Sequence, residues 1–144
     1  MTAPTEQDAD RKRQRCGGGV VLDEADRLLL VRRGHAPHAG TWSLPSGRSH
    51  DGEPPAATTE REVLEETGLV VRAGALLGVV ERLDPDRPLL YEIHDYACEV
   101  LGGTLQAGDD AAEVAWVPLD RVRDLPLAPQ LADALVAFGV LPPG

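Results

Sequence analysis

The chain alternates short apolar runs with polar breaks rich in glycine and proline, a rhythm of strands more than of long helices. Residues 18–22 and 28–32 are apolar runs separated by Asp23-Glu24-Ala25-Asp26, a pattern that predicts a hairpin. A short strand is expected at 42–44. Residues 70–71 and 76–82 read as extended, Asp84-Pro85-Asp86-Arg87-Pro88 as a loop, and 90–101 as a long strand stopped by Gly102-Gly103. A further strand is predicted at 114–117. Pro118-Leu119-Asp120 opens a short helical piece, and 129–138 reads as an amphipathic helix with Leu131, Ala134, Leu135 and Phe138 facing inward. Strands flanked by helices predict an α/β/α sandwich.

The remaining helix is the most informative segment. Pro54 and Pro55 suit a first turn, where a missing N–H costs nothing, and Gly68 suits the left-handed position just past a helix end. The helix therefore starts at Pro54 or Pro55 and ends at Thr67. Within it Glu62, Glu65 and Glu66 stand at i, i+3 and i+4, which stacks three carboxylates on one face. Like charges at that spacing repel, so the row either stays solvated or recruits a cation. The first reading is an acidic, water-facing helix with Arg61 paired to Glu65. The second is favoured by what precedes the helix, because the turn Leu44-Pro45-Ser46-Gly47-Arg48 and the loop up to Glu53 bring a glycine-bearing segment beside the row. Backbone groups at such a glycine approach a metal or a phosphate closely. Hard carboxylate oxygens, with no Cys or His cluster nearby, select Mg²⁺ or Mn²⁺.

From Gly47 to Leu69 the chain reads G-x5-E-x7-R-E-V-x-E-E-x-G-L. This resembles a complete Nudix box, the signature of hydrolases that cut a nucleoside diphosphate linked to another group. The similarity extends over 18–135, through Arg33, the segment 40–45 and Ala115-Trp116-Val117-Pro118-Leu119. The resemblance implies an α+β fold, a Nudix-type α/β/α sandwich with a mixed β-sheet, and the expected hairpin agrees with it. It implies that Glu62, Glu65 and Glu66 bind the catalytic divalent ions, joined by the Ser46 carbonyl, with Glu62 and Glu65 also serving catalysis. Arg61 would orient a carboxylate, Glu53 would support the loop–helix geometry or touch metal through water, and Gly47 and Gly68 would be structural. Many relatives carry Gly-Gly where this chain has Ser46-Gly47, and Glu where it has His50; these departures bear on metal affinity or loop rigidity.

Hydrolysing a diphosphate requires neutralised phosphate charge, an activated water and a base for its proton. Asp110 and Glu113 occupy places where relatives often carry acidic residues ahead of the tryptophan, so either is a candidate base or extra metal ligand; the alternative is an ordinary polar turn. Arg33 and Arg48 flank the glycine loop and are candidates to hold phosphate through bidentate contacts, beside the backbone of Gly47. Trp42 is expected to pack in the core rather than stack on a base. The stretches 91–96, 102–103 and 107–111, with Pro85 beyond the box, resemble the branch labelled ADP-ribose pyrophosphatase. A nucleoside-triphosphate pyrophosphohydrolase clearing oxidised or non-standard nucleotides is the second reading, and a non-catalytic Nudix-like nucleotide-binding domain the third. That last class usually shows a lost box carboxylate, and none is lost here.

Composition narrows the partners. The 144 residues suit one domain, expected as a flexible tail over 1–16 and a Nudix hydrolase domain over 17–144. A net charge of −10 argues against nucleic-acid binding, the basic run 11–15 included, and makes an anionic substrate depend on metal and local arginines. Two cysteines and the lack of a signal-like apolar stretch predict a reduced, cytoplasmic protein with no disulfide and no membrane partner. The resemblance also implies a homodimer, although no apolar stripe calls for one.

Overall fold

Three consecutive glycines leave the middle of strand β1 (Lys12–Val21) without side chains, and a helix lies directly on it. A Cβ at Gly17 would fall 2.4 Å from the Pro55 carbonyl oxygen, so this approach requires glycine. The computed structural model describes residues 12–36, 38–108 and 111–144. The further elements are β2 (Arg27–Arg33), β3 (Trp42–Ser43), β4 (Ser46–Arg48), helix α1 (Pro55–Thr67), β5 (Leu69–Leu83), β6 (Leu89–Gly103), β7 (Ala111–Pro118), a 3₁₀ turn (Leu119–Asp124) and helix α2 (Leu131–Ala137).

Two sheets form. One runs β4-β1-β6-β5 and is mixed, with β1 parallel to β6 and the other pairs antiparallel. The other, β3-β2-β7, is antiparallel. Side chains on adjacent strand positions go to opposite faces. Val21 and Leu29 pack under α1 with Val63, Leu69 and Val71. Val20, Leu28 and Leu30 face the other way, against Trp42, Leu44, Val117, Leu131 and Leu135. Strands apolar on both faces, covered by a helix on each side, make the α+β sandwich that the sequence predicts.

Three expectations need correction. Residues 18–22 and 28–32 do not form a hairpin ladder: the turn exists, with Asp23 Oδ1 accepting from the backbone N–H of Ala25 and Arg27, but only the Leu22–Leu28 bridge joins the arms. β1 and β2 then diverge into different sheets, because each finds longer partners elsewhere. Residues 12–16, expected within the tail, are strand. They pair with β6 from Lys12↔Leu89 onward, their backbone groups satisfied by the ladder while Arg13 pairs with Glu92 at 3.0 Å. The rest of that tail lies outside the described residues. Finally, the two extended pieces at 70–71 and 76–82 are one strand, β5, interrupted by register shifts between Val70 and Gly78. No helix among the described residues is long and apolar enough to cross a membrane.

Candidate active site

Helix α1 presents the carboxylate row, and its ends are well held. Thr58 is fully buried at the start and donates to Glu53 Oε1 at 2.8 Å. At the other end Gly68, at φ +77°, donates to the Leu64 carbonyl, while Gln106 and Gly108 cap the Thr67 and Glu66 carbonyls. The segment after β6 thus closes the C-terminal turn.

Arg61 is the hub of the charged cluster. Its Nε and Nη2 bond both oxygens of Glu53, at 2.9 and 2.8 Å. Its Nη1 reaches Glu62 at 2.8 Å and Glu65 at 3.3 Å, and Nη2 also donates to the Arg48 carbonyl at 2.9 Å. One guanidinium therefore ties the loop to three carboxylates. The contact with Arg61, and then the His50 N–H, hold Glu53 far below the usual carboxylate range, and the bond to Glu53, ahead of that to Glu62, raises Arg61. Glu62 is different: burial raises its carboxyl, against the pull of Arg61.

The glycine loop completes the site. A Cβ at Gly47 would lie 2.2 Å from the Glu62 carboxyl carbon, so only glycine leaves room for that carboxylate against the loop. At the preceding residue the Ser46 N–H donates to Glu66 Oε2 at 3.3 Å. Two row carboxylates thus touch consecutive loop residues. Glu65, more exposed, leans toward Arg61. Among the described residues no three Asp, Glu, His or Cys side chains converge tightly enough to hold an ion as they stand. The donors nonetheless fit a hard cation, since the set is all oxygen and the glycine lets the Glu62 carboxylate lie against the loop. Arg61 supplies the positive charge on which Glu62 and Glu65 now close.

Ser46, Gly47, Arg48 and Glu66 open onto a cleft of about 1720 Å³. Arg33 and Arg82 lie along it, with Asp84 and Tyr91 beyond. Arg48 sits 5.4 Å over the Tyr91 ring and donates to its hydroxyl at 2.9 Å, while that hydroxyl donates to Asp84. Of the two candidate bases, Asp110 lies outside the described residues. Glu113 is not in the site: it stands exposed in β7, where register opposite Arg32 gives a 3.4 Å ion pair, and does not line the cleft. Trp42 is a core residue.

Sequence reasoning missed Arg82 and Asp95. Asp95 is 4% exposed, and burial pushes its carboxyl up to about 7 against the attraction of Arg82. Burial, and then the like charge of Arg33, lower Arg82. The only signal in the sequence was an ionisable residue inside a strand that is otherwise half-buried.

The comparisons bear on this arrangement. A family model for the NUDIX domain matches residues 12–138. An ADP-ribose pyrophosphatase of Methanocaldococcus jannaschii is 35% identical over 106 residues, 73% of this chain and 62% of that protein. An 8-oxo-(d)GTP phosphatase of Mycolicibacterium smegmatis is 31% identical over 90 residues, 62% of this chain and 27% of that one. The crystal structure of a MutT NUDIX hydrolase from Burkholderia pseudomallei matches with a TM-score of 0.77 at 27% identity, covering 88% of this chain and 98% of that one. The chain spans 49–64% of the length of the first curated relatives it matches. Since the match takes in the glycine loop, the carboxylate helix and both sheets that carry them, the chain belongs to the Nudix family.

Proposed function

We propose that this chain hydrolyses the diphosphate linkage of a nucleoside diphosphate derivative, ADP-ribose or a similar nucleoside diphosphate sugar, with Mg²⁺ as cofactor and Mn²⁺ as a substitute. The observation that carries the reading is the seating of Glu62 and Glu66 against Gly47 and Ser46 at the edge of a cleft bordered by Arg33, Arg48 and Arg82. The name of the M. jannaschii relative supports the choice of ADP-ribose.

Glu62, Glu65, Glu66 and the Ser46 carbonyl would hold the ion. Bound there, Mg²⁺ offsets the diphosphate's negative charge and polarises its phosphoryl groups. Arg61 keeps Glu62 and Glu65 in register with the loop through the contacts already described. Arg33 and Arg48 take phosphate oxygens, and the bare backbone at Gly47 lets the diphosphate come close. A water oxygen forms a bond to phosphorus as the bridging P–O bond breaks. A carboxylate of the row, Glu62 or Glu65, accepts the water's proton.

The second reading, hydrolysis of an oxidised or non-standard nucleoside triphosphate, is favoured by the name of the M. smegmatis relative. Chromatography of products from ADP-ribose, other nucleoside diphosphate sugars, 8-oxo-dGTP and the ordinary triphosphates, with Mg²⁺ and with EDTA, separates the two. Release of AMP from ADP-ribose is the expected result. Selective turnover of 8-oxo-dGTP would replace the first reading with the second, and no turnover of any substrate would reject both.

A further inference from the structure

In a small cavity adjoining the cleft two charged groups face a gap without filling it. Asp95 of β6 lies in register beside Gly18 of β1, and a Cβ on that glycine would fall 2.3 Å from Asp95 Oδ1. Although buried, the carboxylate accepts no hydrogen bond from any described residue. Arg82, four strand positions along β5 from Gly78, the partner of Asp95, donates to the Pro129 carbonyl at 3.0 Å, but its buried Nε has no partner. Asp95 and Arg82 attract each other by charge but form no ion pair within 4.0 Å, so they do not satisfy each other.

Between them lies a cavity of about 40 Å³. Its polar lining is Ser43, Ser46, Arg82 and Asp95, and of these Ser43, Ser46 and Arg82 also border the large cleft. The pouch therefore adjoins the cleft beside the glycine loop. The remaining walls are apolar, among them Ile93 and Leu131. A space of this size admits about one water or the edge of a planar ring. A buried acceptor and a buried donor left open to a binding cleft are a cost to the fold that a ligand relieves. The carboxylate repels phosphate, so an anion is the wrong occupant; a neutral heteroaromatic edge carrying both an N–H and an acceptor is the right one.

We propose that Asp95 and Arg82 read the nucleobase of the substrate, Asp95 accepting from a base N–H and Arg82 donating to the neighbouring carbonyl or ring nitrogen. The assignment rests on the reading of the cleft as a nucleotide site, and deepens it by making the pair a specificity determinant. Site polar groups built to bond a ligand reject analogues that leave them unpaired.

The test is metal-free binding, measured calorimetrically in EDTA for AMP, GMP, CMP and UMP, with ribose 5-phosphate as the ligand that lacks a base. The wild-type chain is expected to prefer one base over another by about tenfold. Asp95→Asn and Arg82→Gln should each flatten or reorder that preference while ribose 5-phosphate binds within about twofold of wild type. Wild-type base selectivity in both variants overturns the proposal, as does an equal loss of ribose 5-phosphate binding. So does an Asp95→Asn protein that fails to fold by circular dichroism, which would make the residue structural. A wild-type chain that binds no nucleotide and hydrolyses none overturns the functional reading itself, a result distinct from retained but unaltered selectivity.

Discussion

Replacing Asp95 by Asn should stabilise this protein, and the gain should grow with pH. A carboxyl at an ordinary value near 4 when unfolded and about 7 when folded differs by about 3 units, each worth about 1.4 kcal/mol. The charged form is thus disfavoured in the fold by about 4 kcal/mol at most. Between those two values the native state holds the proton more tightly than the unfolded chain, so wild-type stability is fully present below about pH 4 and is lost as pH rises through about 7. Asn keeps the shape without the charge. Urea unfolding of both proteins from about pH 4 to 8 should give nearly equal stabilities at the acid end and a gap of a few kcal/mol, favouring Asn, above about pH 7. Carboxylates such as Glu53, held low by Arg61, act with the opposite sign in both proteins and drop out of the difference. A difference that stays flat with pH, or a less stable Asn variant at about pH 8, would refute the reasoning.

Other substitutions test the loop and the core. Gly47→Ala places a methyl group against the Glu62 carboxylate and should cost about 1–3 kcal/mol in urea unfolding while lowering kcat. Arg61→Lys retains the charge but cannot bond both oxygens of Glu53 together with Glu62 and the Arg48 carbonyl; a fall of roughly 5 °C in Tm and slower turnover are expected. Leu135→Ala, at a fully buried position of α2 remote from the carboxylates, should cost about 2–5 kcal/mol by the same unfolding assay with KM for Mg²⁺ unchanged.

What could be read from the chain was set by local chemistry. Helix α1 was legible because prolines open it, Gly68 closes it and the carboxylate spacing falls on one face. The turn at Asp23 was legible for the same reason, being made by side-chain bonds within five residues. Which sheet each arm joins was not, since β1 and β2 are placed by partners about 77 to 91 residues away. Residues 12–16 look like a tail because polar side chains hide the strand's pairing. Glu113 looked like a base because an acidic residue before a tryptophan fits the family pattern, while its partner Arg32 comes from register. Asp95 and Arg82 belong to no local motif. They meet only after β6 has paired with β1 on one side and β5 on the other.

If the carboxylates on α1 hold a divalent ion against a diphosphate, turnover must follow that ion. Initial rates of ADP-ribose hydrolysis against Mg²⁺ concentration, for the wild type and Glu66→Gln, test it most directly. Saturable activation by Mg²⁺, no turnover in EDTA, and a loss of about a hundredfold or more in the variant with its circular dichroism unchanged are the expected results. Turnover in EDTA, or near-wild-type rates from the folded variant at saturating Mg²⁺, would contradict it.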